Sequence, residues 1–170
     1  MRILVLTSTF PRWAGDAQPP FVLELCKRLS AAHDVLVIAP HCAGAAGEEA
    51  LGERLAVRRF RYAPQALELL AYGGGILENL RRARWRYLLV PLFLLAECAA
   101  ARRAIRQLRP DVIHAHWIIP QGAAGALARL AAGAGGVALV CTSHGADLFA
   151  LRGPLGSFAK RWVLRRVAAL

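Results

Sequence analysis

Three short stretches hold most of the side chains with chemistry to offer. The first is FPRWAGD, residues 10–16, just ahead of a helical pattern. Gly15 lets backbone approach a phosphate closely, and the helix N-terminus behind it supplies N–H groups and partial positive charge. In the plainer reading this is a turn in which Asp16 caps the helix. The second stretch is HAHW, where His114 and His116 stand at i and i+2 and so share one face of a strand. The third is SHGAD, residues 143–147. There Gly145 permits a tight turn and His144 can donate to a sugar hydroxyl or a phosphate oxygen. Asp147 can orient that histidine, bind hydroxyls or cap a short turn. His114, His116, His144 and Asp147 could also surround a metal, but no ligand-spaced motif supports one, and none is expected. The pattern instead puts His114 partly buried beside the sheet, with His116 and Trp117 at the rim where a ligand would meet them.

Other chemistries find little support. The G-x-G-x-x-G fingerprint is absent, and Gly133, Gly135 and Gly136 come before a strand rather than after one. No G-x-S-x-G elbow marks a hydrolase. Cys26, Cys42, Cys98 and Cys141 form no C-x-x-C pair, which argues against a zinc ribbon or a disulfide scaffold and fits a reducing compartment. Cys141 falls inside a buried strand and reads as inert. No cofactor is implied.

The elements that must position these stretches alternate. Apolar, β-branched runs predict strands over residues 2–8, 34–39, 55–60, 111–115 and 137–142. The third is crowded by arginines and reads as lying near an edge. Helical spacing predicts helices over 20–32, 91–108, 120–132 and 154–170. Residues 41–53 read as loop, and 63–86, broken by Gly73, Gly74 and Gly75, as a mobile loop with helical pieces. This order implies βαβ units: a Rossmann-like, doubly wound parallel α/β sheet with helices on both faces and strand order 3-2-1-4-5. Ligands bind such sheets outside the carboxyl ends of the strands where the order reverses. The three chemical stretches fall at those ends.

A chain of 170 residues, 56% hydrophobic and 19% charged, has one domain's worth of core and little tendency to disorder. No apolar run reaches the ~18 residues of a membrane span, and the short apolar start is no secretory signal, so a cytoplasmic protein is expected. Its net charge of +11 is concentrated in two places. Residues 76–110 carry eight arginines against Glu78 and Glu97, and residues 152–166 carry five basic side chains and no acid. Such surfaces attract phosphates of nucleic acids, lipids or nucleotides. Arg81, Arg82, Arg84 and Arg86, with Trp85 and Tyr87 between them, have the composition of an interfacial membrane contact. The leucines that follow them read rather as a core helix.

MRILVLTSTFPRWAGD at the start, then DVIHAHWIIPQG, then TSHGADLF, resemble in matching order the N-terminal half of glycosyltransferase family four. These are retaining enzymes of the GT-B fold. The resemblance implies a two-domain enzyme whose N-terminal domain mostly binds the acceptor and whose C-terminal domain binds the nucleotide-sugar donor. It places Gly15 and Asp16 near the donor diphosphate, where many members have two glycines. Asp16 departs from that pattern, and its carboxylate would repel a diphosphate. It makes His144 the catalytic histidine facing the donor sugar, with His116 on the acceptor side and Trp117, Gly145 and Asp147 beside them. On this expectation residues 1–170 are the acceptor-side domain of a bacterial hexosyltransferase of polysaccharide or glycolipid synthesis. The donor-binding domain is absent, and the fragment has no turnover of its own. Expected partners are a nucleotide-sugar donor, a glycan or glycolipid acceptor and an anionic membrane surface at the inner face of the plasma membrane, but no nucleic acid. Two rivals are a phosphate- or nucleotide-binding module without catalysis and a basic nucleic-acid-binding protein. The second has only the charge in its favour.

Overall fold

The structure is a computed structural model that describes residues 1–149 and 152–170. Six strands form one sheet: β1 (Arg2–Leu6), β2 (Asp34–Pro40), β3 (Glu48–Gly52), β4 (Leu55–Phe60), β5 (Val112–His116) and β6 (Ala138–Thr142). Their order is β3-β4-β2-β1-β5-β6, and every pairing is parallel except that of β3 with β4. The helices are α1 (Phe21–Ser30), α2 (Ile76–Arg82), α3 (Leu89–Leu108), α4 (Ala123–Ala131), α5 (Ala146–Phe149) and α6 (Pro154–Leu164). The fold is thus of the expected α/β, Rossmann-like class.

Alternation along the inner strands explains why both faces need helices. Ile3, Val5, Val35 and Val37 pack with Val22 and Cys26 of α1 on one face. Leu4, Leu6, Leu36 and Ile38 face the other way, onto Phe93 and Ile105 of α3, Ala126 of α4 and Val163 of α6. An apolar residue at every position is what a strand buried on both faces requires. Leu4, Val5 and Leu6 have no exposed surface, so each contributes about 1.5–3 kcal/mol of hydrophobic stabilisation.

The strand order differs from the five-stranded expectation at one edge. Residues 48–52, expected to be loop, pair antiparallel with β4, so β4 lies one strand in from the edge. Glu48 stands opposite Arg58, and the Arg58 Nε–H donates to its Oε1 at 2.9 Å. Cross-strand pairing, rather than the propensity of EEALG, makes this strand. The last helix also ends early, at Leu164. Beyond it the Ala168 N–H donates to the Leu139 carbonyl at 2.7 Å, and the Cys141 N–H to the Ala169 carbonyl at 3.1 Å. The open edge of β6 offers backbone groups that compete with a further helical turn.

Residues 63–86 are anchored by side chains. The Leu70 N–H donates to the Tyr62 hydroxyl, the Tyr72 hydroxyl donates to the Pro40 carbonyl, and Asn79 donates to the carbonyls of Leu70 and Tyr72. This segment carries α2 over the carboxyl end of the sheet, above Ser8 and Thr9.

Candidate functional site

β1 has β2 on one side and β5 on the other, so the chain reverses direction between them. The loops after β1, β5 and β6 emerge at this same end of the sheet. β5 and β6 pair with His116 opposite Thr142, which brings the HAHW and SHGAD stretches side by side.

Three imidazoles form a column here. The rings of His114 and His116 stack at 4.5 Å between centroids, as the i, i+2 spacing requires. His144 stacks on His116 at 5.3 Å with 12° between the planes. The His116 Nδ1 and His144 Nε2 lie 3.0 Å apart, and His114 Nε2 lies 2.8 Å from the Thr142 hydroxyl. Phe21 and Trp117 lean on the outer ring, with centroids 4.9 and 4.7 Å from that of His144. His116 does not reach the rim as expected: it is 1% exposed, beneath His144, which is exposed. Its burial depends on His144 folding back over it, a contact across 28 residues.

Burial favours neutral rings. It pushes His116 down to about 3, with the neighbouring imidazoles adding to the effect. Burial also lowers His114 and His144, although Asp147 partly opposes this at His144. The His116 Nε2 is buried and has no partner among the described residues. An orphaned N–H is rarer than an orphaned lone pair, which assigns the His116 proton to Nδ1. His116 then donates to the His144 Nε2 and leaves the Nδ1–H of His144 free to donate outward. Among the described residues no three His, Cys, Asp or Glu side chains are placed to hold a metal ion.

Asp147 is a bracket between loops. It is 4% exposed; one oxygen accepts from the Ile118 N–H at 2.7 Å, the other from the Ser143 hydroxyl at 2.8 Å and the His144 N–H at 3.3 Å. It therefore fixes the backbone of His144 against the loop after Trp117. Gly145 has φ +86°, a left-handed conformation that starts α5 and that glycine adopts freely.

Gly15 and Asp16 form a separate group on the loop after β1. Gly15 has φ +76°. Arg12 donates to both oxygens of Asp16, at 2.6 and 2.8 Å, and stacks 4.3 Å over the Trp13 ring. This pairing holds the Asp16 carboxyl well below the usual carboxylate range and neutralises it locally. Arg59, its side chain 1% exposed, donates from Nη2 to the carbonyls of Pro11 and Arg12 and fastens the loop from below. No hydrogen bond joins Asp16 to the histidines among the described residues.

Between the site and α2 lies a cavity of about 320 Å³. Ser8, Thr9, Trp117 and Asp147 line its sheet end, and Leu70, Leu77, Leu80, Val90 and Phe93 line the rest. The basic cluster lies beyond it and divides in two. Arg82, itself exposed, donates to Glu78 and the Gly73 carbonyl, and the half-buried Arg86 donates to Asn79 and helps hold α2 in place. Arg81, Arg84 and Trp85 are exposed, together with Tyr87 and Leu88.

Sequence reasoning missed Phe21, Arg12 and Arg59. Helical period assigns Phe21 to the core of α1, yet as the first helical residue behind Pro19 and Pro20 it stands at the ligand end of the sheet. Nothing in the sequence marks Arg12 as the partner of Asp16 except the four-residue spacing.

The family model of Glycosyltransferase Family 4 matches residues 20–170. No curated protein matches the chain. The match takes in the strands that carry both histidine stretches, and the chain belongs to glycosyltransferase family 4.

Proposed function

We propose that this chain is the acceptor-side half of the cleft of a retaining glycosyltransferase. In this reading a nucleotide-sugar donor is held mainly by a second α/β domain, and a hexose passes to a glycan or glycolipid of bacterial polysaccharide synthesis. The observation that carries it is the His116–His144 pair at the switch point, held against the neighbouring loop by Asp147. Retaining transfer needs stabilisation of a departing diphosphate, which can take up the proton the acceptor hydroxyl loses, and of a sugar with cationic character. A neutral His144 that donates from Nδ1 suits a sugar oxygen and adds no positive charge beside the developing cation. Gly15 and the α1 N-terminus would lie toward the diphosphate, and the Arg12–Asp16 pair removes the repulsion a bare carboxylate would exert. His116 acts through His144 and is a positioning residue; Trp117 and Gly145 shape the acceptor side.

Arg81, Arg84 and Trp85 would meet an anionic membrane at the inner face of the plasma membrane. Among the described residues no helix is long and apolar enough to cross a membrane. In this reading turnover needs both halves of the cleft. The test measures sugar transfer from a panel of nucleotide-sugars, for the chain alone and for the chain joined to a donor-binding α/β domain. Transfer by the joined protein only is expected. Absence of transfer by both across the panel would end the reading.

A further inference from the structure

The cavity between α2, α3 and the sheet end is unlike a sugar site. Saccharides present hydroxyls on every side, and each one buried without a partner costs free energy. Here the walls contributed by Leu70, Leu77, Leu80, Val90 and Phe93 offer no side-chain polar atom. Gly74 and Gly75 bring only backbone to the wall, and polar side chains are confined to the sheet end. There Asp147 is already engaged by three donors, and the hydroxyls of Ser8 and Thr9 make no hydrogen bond among the described residues. At about 320 Å³ the cavity is at the small end of the range for ligand pockets, about 300–1,000 Å³. Leu80 lines both this cavity and an adjoining open hollow whose other walls are Arg81, Arg84 and Tyr87. The apolar cavity, with Trp117 and Asp147 at its sheet end, and the basic, aromatic hollow therefore lie on either side of Leu80. Arg81 and Arg84 have no ion-pair partner among the described residues, and Leu88 is 74% exposed beside them. Positive charge with exposed apolar and aromatic side chains complements an anionic lipid surface.

We propose that the cavity binds the apolar chain of a lipid-borne acceptor, with its polar head toward Ser8, Thr9 and the histidine pair and its tail leaving past Leu80 to the membrane. This rests on the acceptor-side reading above and names the acceptor as an amphiphile rather than a free glycan. Chain burial gives affinity that grows with length, while the arginines bring the protein to the surface from which the lipid is presented.

The experiment titrates the chain with hexyl, octyl and decyl glucosides below their micelle concentrations, following binding by isothermal titration calorimetry. Neutral heads separate the cavity from the arginines. Affinity should rise by up to about fourfold per methylene until the cavity is full. Leu77→Trp, which fills the cavity, and Leu77→Asn, which makes its wall polar, should both flatten the series; thermal unfolding identifies a variant that has not folded. Arg81→Gln with Arg84→Gln should leave the series intact but abolish flotation with vesicles of three parts phosphatidylglycerol to seven parts phosphatidylcholine. Equal affinity for the three glucosides, or a slope that survives in both Leu77 variants, would overturn the proposal. A flat series in a protein whose joined form transfers sugar would overturn this inference alone. A steep series without any transfer would support the lipid chamber and count against the transferase.

Discussion

Glu97 and His116 are both fully enclosed, and burial drives both toward their neutral forms, with opposite consequences for pH. Burial raises Glu97 from 4.5 to about 8, and its nearest partner is the Gln121 amide at 3.5 Å. A folded pKa above the unfolded one means that stability is complete below pH 4.5 and is lost as pH rises toward 8. His116 is lowered from 6.5 to about 3, so its share is complete above pH 6.5 and is lost as pH falls toward 3. Glu97→Gln should therefore stabilise the protein by about 3 kcal/mol at pH 7 and scarcely at pH 4, which urea unfolding at the two pH values measures. Asp147→Ala leaves the Ile118 N–H buried without a partner and should cost about 2–3 kcal/mol in the same assay. Residue types and spacing were enough to single out His116, His144 and Asp147. They could not show that His116 lies under His144 or that Arg12 neutralises Asp16, because those facts depend on how loops fold back.

The chain enters helix α4 through Gly122, the residue just before it. A Cβ at Gly122 would lie 2.9 Å from both the Cys141 Sγ and a Val163 methyl group, so α4, β6 and α6 meet there with no spare room. Gly122→Ala should destabilise by about 1–3 kcal/mol through overpacking. Gly135→Ala, where a Cβ meets nothing within 4 Å, should stay within about 0.5 kcal/mol. Urea midpoints with an unchanged slope would confirm the pair. The inner strands were legible because burial on both faces demands continuous apolar runs. β3 was not, since Glu48, Glu49 and Gly52 are poor strand formers and the pairing with β4 supplies what local propensity lacks. The end of α6 was misread for a related reason: the edge of β6 captures Ala168 and Ala169, and no local pattern announces it.

Across the whole molecule the two faces of the sheet are covered unevenly. Among the described residues α1 alone packs on one, while α3, α4 and α6 pack on the other. The histidine column stands on the α1 side beyond that helix, where Phe21 is its cap, and the apolar cavity opens on the α3 side. Trp117 and Asp147 touch both regions, which is why the loops after β5 and β6 must be held in register. The net charge of +11 pointed to a phosphate-rich partner, but only the fold separates Arg86, which is bound to Asn79 of α2, from the exposed Arg81 and Arg84. The account depends most on His144 as the donor that meets the transferring sugar. The direct test is kcat for sugar transfer by the joined protein with His144 and with His144→Ala, alongside thermal unfolding of each. Loss of about 10²-fold in kcat in a protein that still unfolds cooperatively is the expected result. An unaltered kcat in a folded His144→Ala protein would contradict the account.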